Sequence, residues 1–178
     1  MMSLNGRKAV AFKGVVTLFA LALIATLVFI GCQQSNRGGG THSVTKPEEG
    51  VWKVLSTKTV ADGKTKEETY PITQEHGKVK ITMQPYFCLS NAKLYMAMQI
   101  SSDTTPEANG IFKDKEMWDK AYTYANNTLT LQDLGSLSFT VNGDKATSSQ
   151  SNGENSMTMT FERVSSPTVA EIKAAKSQ

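Results

Sequence analysis

The clearest pattern in the chain is the alternation of apolar and polar residues in short segments from about residue 50 onward. In the segment SMTMTFERV, residues 156–164, one face carries Met157, Met159, Phe161 and Arg163, and the other carries threonine and glutamate. A β-strand has this pattern when one face meets a core and the other meets water. The segment predicts a half-buried strand, although its core-facing row ends in arginine, a side chain rarely buried without a partner.

Turn signals separate these alternating segments, and they include Asp62-Gly63, Asn126-Asn127, Asn142-Gly143 and Asn152-Gly153. Asn-Gly and Asp-Gly favour two-residue hairpin turns, because both central residues of such a turn adopt positive φ. Strands joined by tight turns are neighbours in space and run antiparallel. The spacing of the signals predicts about eight or nine strands.

We therefore predict an all-β domain over residues 50–165, an up-and-down antiparallel β-barrel of about eight strands. A meander with one apolar face buries that face when it curls shut, and closure also removes free edges. The alternative is a two-sheet sandwich, but Greek-key folds need long connections and only residues 102–118 are long enough. Within that connection, residues 110–112 favour a short strand and residues 114–118 a helical turn.

Two further local features are predicted. Residues 69–73 have the pattern of a strand, and Pro85 predicts a break or a bend after the alternating segment 79–84. At the C-terminus, residues 166–178 favour a short α-helix that lies on the barrel or frays. Ser166 precedes Pro167, and Glu171 follows Thr168 by three positions, which is typical of a helix start.

Residues 1–31 have the composition of a signal peptide helix. Arg7, Lys8 and Lys13 precede an uncharged run of 18 residues, and no acidic residue occurs before Cys32. A basic segment, an apolar run and a small residue before the cleavage point are typical of secretory signals. The alternative is an uncleaved transmembrane helix, since such a run is just long enough to span a bilayer.

The segment FIGC, residues 29–32, resembles the lipobox of bacterial lipoproteins, with phenylalanine in place of the usual leucine. The resemblance implies cleavage after Gly31, a diacylglycerol thioether on Cys32 and an acylated N-terminus. Several acyl chains together anchor a protein firmly in a membrane. We therefore expect a lipid-anchored protein of the cell envelope. Gln33 stands where an aspartate would resemble an inner-membrane retention signal, so the outer membrane is favoured over the inner membrane.

Residues 32–49 are polar and glycine-rich and show no periodicity, which is typical of a flexible tether. About 17 residues of this kind span roughly 20–25 Å. His42 lies in this segment, and no role is predicted for it.

The charge and cysteine content of the mature chain exclude several classes of function. Removing Arg7, Lys8 and Lys13 from the 19 basic residues leaves 16, which balance 16 acidic residues. A neutral chain without a basic cluster has no electrostatic footprint for nucleic acid. With Cys32 lipidated, Cys88 has no disulfide partner and is predicted to be a buried small hydrophobe. Because hydrolase, phosphate-loop and metal-ligand motifs are absent, we expect no enzyme, metal or cofactor.

Two short motifs carry a resemblance to a barrel family. The first strand begins with GVW, residues 50–52, and the last ends with FER, residues 161–163. The pair resembles the lipocalins and their wider barrel relatives, in which an arginine of the last strand packs across the tryptophan at the closed end. The resemblance implies this structural role for Trp52 and Arg163, a cation–π contact of about 0.5–2 kcal/mol. The alternative is an arginine that extends to solvent from a strand end.

The predicted inward-facing rows are rich in methionine, a flexible side chain that suits varied apolar ligands. The candidate ligand-binding residues are Met83, Leu94, Met96, Met98, Leu129, Phe139, Met157, Met159 and Phe161. Such side chains equally well fill a core.

Two classes of function are therefore carried forward, both for a monomer. In the first, the barrel binds a small hydrophobic ligand, a lipid or fatty acid. In the second, the barrel is filled and its loops, notably residues 102–118, bind a macromolecular partner. Met117, Trp118 and Tyr122 are the candidate anchors for such a contact or a plug for one end of the barrel.

Overall fold

The structure, a computed structural model, describes residues 46–132 and 134–177, and describes His76 by its backbone alone. The predicted signal peptide, the lipidation residue Cys32 and His42 lie outside the described residues. Within the described ranges, no helix is long and apolar enough to cross a membrane.

The described residues form eleven strands, a single 3₁₀ turn and one short helix. The strands are β1 (Gly50–Ala61), β2 (Lys64–Thr69), β3 (Ile72–His76), β4 (Val79–Ser90), β5 (Lys93–Ser102), β6 (Gly110–Lys113), β7 (Lys120–Ala125), β8 (Thr128–Leu131), β9 (Gly135–Asn142), β10 (Lys145–Asn152) and β11 (Asn155–Val164). The 3₁₀ turn is Pro106–Ala108 and the helix, α1, is Val169–Lys173.

Eight of these strands close into an antiparallel barrel. Their order around it is β1, β11, β10, β9, β8, β7, β5 and β4. The ring closes where Gly50–Lys53 of β1 pair with Tyr86–Leu89 of β4. The predicted barrel of about eight strands with a short C-terminal helix is thus confirmed. Because the closed barrel contains its own core, residues 46–177 are expected to fold as an independent unit.

Beyond this four-residue seam, β1 and β4 separate. The C-terminal part of β1, Ser56–Ala61, pairs with β2, and the N-terminal part of β4, Val79–Met83, pairs with β3. A β-bulge in β1 between Val54 and Ser56 lies where the separation begins, and bulges bend a strand away from its neighbour. We call this divergence of β1 and β4 the fork. The strand predicted at 69–73 is wrong as a single element, because the chain crosses there from the edge of β1 to the edge of β4.

Pro85 does not end β4, which runs through it to Ser90. The carbonyl of Pro85 accepts a hydrogen bond from the side-chain amide of Gln84, which also donates to the carbonyl of Val54 on β1. The backbone of Pro85 therefore faces the fork, the side on which this part of β4 pairs with neither β1 nor β3. A missing N–H at such a position costs no ladder hydrogen bond, which is why the proline is tolerated.

The long connection 102–118 contains the expected short strand, β6, which pairs with β5. The helical turn predicted at 114–118 is wrong. The Asp114 carboxylate instead accepts the backbone N–H groups of Glu116 and Met117, at 3.0 and 3.1 Å, and holds the segment as a side-chain-bonded turn. The 3₁₀ turn lies earlier in the connection, at Pro106–Ala108.

Helix α1 begins at Thr168, whose hydroxyl and backbone exchange hydrogen bonds with Glu171 in a capping box. Pro167 lies just before this cap rather than in the first turn. The helix covers the outer wall of the barrel, where Ile172 packs against Val51, Tyr86, Cys88 and Ala97. These form a second, smaller core outside the barrel.

We expect Ile172→Ala to destabilise the polypeptide of residues 32–178 by about 2–4 kcal/mol, because Ile172 is fully buried and the alanine leaves a cavity. Urea unfolding monitored by circular dichroism measures the change. The matched control is Ala170→Ser on the exposed face of α1, which should shift stability by less than about 0.5 kcal/mol. Equal stability of the two variants would show that α1 is not docked.

Candidate functional site

One end of the barrel is closed by Trp52 and Arg163, which lie opposite each other on β1 and β11. The Arg163 guanidinium carbon lies 4.3 Å from the centroid of the Trp52 ring, a cation–π distance. The indole is fully buried, and its Nε1 donates to the carbonyl of Glu48 at 2.7 Å. The two side chains therefore cap the core at this end.

The guanidinium keeps its donors occupied although it stands at the end of a core-facing row. Nη1 donates to the carbonyl of Glu49, and Nη2 donates to the carbonyl of Pro47. Nε lies 3.6 Å from a carboxylate oxygen of Asp144, which is largely exposed, so this ion pair contributes little. Backbone carbonyls thus replace much of the hydration that Arg163 loses.

Residues 47–49, which we call the strap, cross this end of the barrel. The sequence assigned them to the tether, but their carbonyls bind both members of the closing pair, and Glu48 is only 3% exposed. Gly50 follows the strap with φ of +139°, and a Cβ there would lie 2.9 Å from Nη1 of Arg163. Glycine is therefore needed both for the backbone conformation and for the arginine's approach.

Aromatic rings fill the barrel behind the closing pair. Trp52 meets Phe139 edge-on at a centroid distance of 5.6 Å, and Phe139 meets Phe161 at 5.5 Å. Phe87 lies 5.1 Å from Phe161. Contacts of this kind add to the stabilisation from burial alone. We call this filled end, with the strap, the sealed end.

The nine candidate ligand-binding residues divide by position and exposure. Those with 0–1% exposure contact protein on all sides and leave no surface free for a ligand: Met83, Leu94, Leu129, Phe139 and Phe161. Met96 lies one inward step from Leu94 along β5 and is 5% exposed. Met157 and Met159 are 9% and 6% exposed, and Met98 is half-buried.

The strand register places the more accessible methionines away from the sealed end. Met159 and Met157 lie opposite Thr57 and Thr59, two and three inward steps from Arg163 along β11. On β5, Met98 lies opposite Pro85, next to the fork. We call the part of the barrel lined by Met98, Met157 and Met159 the methionine end.

Cys88 points outward from β4 into the core beneath α1 and is fully buried. Burial raises the pKa of its thiol to about 11, and the nearby Lys173 only partly offsets this. The thiol is therefore protonated at neutral pH and is a poor nucleophile. Among the described residues, no three His, Cys, Asp or Glu side chains cluster closely enough to hold a metal ion.

The candidate anchors near residues 102–118 lie mostly inside the domain. Met117 and Tyr122 are buried, and Trp118 is half-buried against Tyr95, with Lys113 over its ring at 5.0 Å. Burial raises the pKa of Tyr122, with a smaller contribution from the carboxyls of Glu48 and Glu49. Only Trp118 of the three offers a side chain to a partner.

Sequence reasoning missed the strap and Gln84. Residues 47–49 have the composition of a linker, and Gln84 occupies the outward-facing position of an alternating strand. A proline followed by glutamates just before the Gly-x-Trp segment carries no signal for packing. No protein-family model, curated protein or solved structure matches the chain.

We expect Arg163→Met to destabilise the polypeptide of residues 32–178 by about 2–4 kcal/mol, since it removes the stacking contact and two charge-assisted hydrogen bonds. Arg163→Lys should recover less than half of the loss, because one ammonium cannot stack flat and donate to both carbonyls. Urea unfolding measures both effects.

The matched control is Lys145→Met, which removes a basic residue near the same end. Lys145 is exposed and pairs with Glu162 on the surface, so its loss should cost less than about 1 kcal/mol. If Arg163→Met costs no more than Lys145→Met, the closing pair does not stabilise the barrel.

Proposed function

We propose that the chain is a lipid-anchored lipoprotein with a lipocalin-like barrel that binds a small hydrophobic ligand at the methionine end. Three kinds of observation support the proposal: the closed barrel, the distribution of accessible surface inside it, and the FIGC segment at Cys32.

The architecture is suited to one small ligand. Barrels of eight strands have an interior that either fills with side chains or holds a single small molecule. Here the sealed end is filled by aromatic rings, so binding is assigned to the other end. On this proposal the ligand enters from the methionine end, because the strap and the Trp52–Arg163 pair close the other end.

The observation that carries the proposal is a gradient of exposure along the interior. Met98 is half-buried and Met157 and Met159 are 9% and 6% exposed, whereas the aromatic side chains Trp52, Phe139 and Phe161 at the sealed end are 0–1% exposed. Methionine side chains have three rotatable bonds and a polarisable sulfur, so they can rearrange around an apolar guest at small cost. The burial of Met83 favours the competing function, a barrel filled throughout whose loops bind a macromolecule. Ligand binding decides between the two.

We expect the polypeptide of residues 32–178, produced without its lipid, to bind the neutral apolar probe N-phenyl-1-naphthylamine with increased probe fluorescence. Met159→Trp should weaken binding at least tenfold, because the larger ring occupies the site. Fluorescence titration measures both affinities.

The matched control is Thr158→Trp, which places the same ring on the opposite face of β11 and should leave probe affinity unchanged. Absence of binding by the unmodified polypeptide would favour the filled barrel. Equal weakening by both tryptophan variants would place the probe outside the barrel.

The lipid anchor is tested separately. In cells, Cys32→Ala should accumulate as the full-length precursor and incorporate no radioactive palmitate, because the acceptor thiol is lost. Gel mobility and autoradiography measure the two effects. The control is Cys88→Ala, which should be processed and labelled like the unmodified protein. Normal processing and labelling of Cys32→Ala would exclude lipidation at this residue.

A further inference from the structure

The inner wall of the methionine end continues from β11 through β1 onto β2. Side chains directly opposite each other in an antiparallel pair share one face of the sheet. Two rows of opposite residues cross the three strands, and the second row is one step farther from the sealed end: Met159–Thr57–Glu68 and Met157–Thr59–Lys66. The methionines of both rows line the barrel interior. The face of β2 that carries Lys66 and Glu68 is therefore the continuation of that interior surface.

An ion pair within β2 agrees with this assignment. Nζ of Lys66 lies 2.8 Å from a carboxylate oxygen of Glu68, two residues along the strand. Residues two apart on a strand project from the same face, whereas Glu67 between them projects from the other. By the same alternation Lys64, which lies opposite Ala61 of β1, shares the face of Lys66. Two lysines and one glutamate thus continue the wall that the methionines line.

The two faces of β2 carry different charge. On the inner face, one carboxylate stands against two ammonium groups, and Lys64 forms no ion pair within the described residues. On the outer face, Glu67 lies opposite Lys58 of β1, so an acidic side chain faces a basic one. Lys64 and Lys66 are exposed. The mouth of the methionine end therefore has an excess positive charge that a molecule from solution can reach.

The strand on the other side of the fork supplies no charge at its described inward positions. On β3, Ile72 lies opposite Met83 and Gln74 lies opposite Ile81. Because Met83 and Ile81 belong to the inward row of β4, the two β3 side chains face inward as well. Both are uncharged. Of the two strands that border the fork, β2 is therefore the one that places positive charge beside the accessible methionines.

We infer that the ligand of the barrel is a single-chain amphiphile with an anionic head group, such as a fatty-acid anion, and that Lys64 and Lys66 bind the head group. The inference rests on the proposed ligand-binding function. Two strand spacings, about 10 Å, separate the backbones of Met157 and Lys66. An apolar chain that lies against the methionines thus leaves its head group within reach of the lysines, where it keeps contact with water and no charge is buried.

The first test compares two head groups of opposite charge on the unmodified polypeptide of residues 32–178. Displacement of N-phenyl-1-naphthylamine is measured at neutral pH with decanoate and with decyltrimethylammonium, both below their micelle concentrations. Decanoate should bind at least tenfold more tightly, and added salt should reduce the ratio, because exposed charges are screened. Equal affinities, or tighter binding of the cation, overturn the inference and leave the proposed function intact.

A pair of double variants assigns the preference to the inner face of β2. The variant K64M/K66M should weaken decanoate binding at least fivefold and change the affinity for the neutral probe less than twofold. The matched control, K58M/K80M, removes two exposed lysines from outer faces and lowers the net charge equally. Its affinity for decanoate should change less than twofold. Equal weakening by the two variants overturns the assignment to Lys64 and Lys66.

Glu68 provides a test of opposite sign. In the unliganded protein its carboxylate occupies Lys66, so it competes with an anionic head group. Glu68→Gln should strengthen decanoate binding at least twofold more than the outer-face control Glu67→Gln, whereas structural damage would weaken it. The glutamine retains an acceptor for the Tyr70 hydroxyl. Unchanged or weaker binding by folded Glu68→Gln overturns the inference. Failure of the probe and of both amphiphiles to bind overturns the proposed function and the inference together.

Discussion

The structure depends on the short seam by which β1 pairs with β4 as well as with β11. Only four residues of β1, Gly50–Lys53, form it. Without these pairs the meander would be an open sheet with two exposed edges, and its apolar face would need a second layer to cover it. Because the seam is so short, closure is confined to one end, and the sealing side chains lie where the seam lies.

The same constraint explains why the two ends of the barrel interior are filled by different side chains. At the seam, the strands are close and the aromatic rings of Trp52, Phe139 and Phe161 fill the space between them. Beyond the bulge the wall divides, each half gains its own outer strand, and the interior is lined by flexible methionines. One strand irregularity therefore separates a half of the barrel filled by aromatic rings from a half lined by methionines, and the proposed binding site lies in the second.

Much of this architecture could be predicted from local patterns. Alternation in β11 and the Asn-Gly turns at residues 142–143 and 152–153 identify strands and their antiparallel order, because these signals depend on neighbouring residues alone. The fork could not be predicted, since Pro85 and Gln84 have their positions only because β1 turns away at a distant point in the sequence. Residues 83–89 are all buried, the inward-facing ones in the barrel core and Tyr86 and Cys88 on the outer face beneath α1. The alternation of apolar and polar residues is therefore lost in this part of β4.

The strap has a mechanical consequence for a chain held by its N-terminal side. A pulling force on the chain N-terminal to Lys46 acts first on the carbonyls of Pro47 and Glu49, which accept hydrogen bonds from Arg163 on β11. If these hydrogen bonds break, the force acts along β1. The ladder hydrogen bonds from β1 to its neighbouring strands are perpendicular to that force. Such bonds must shear together rather than unzip one at a time, so β1 resists a pull along its own axis better than a pull that peels it from its neighbours.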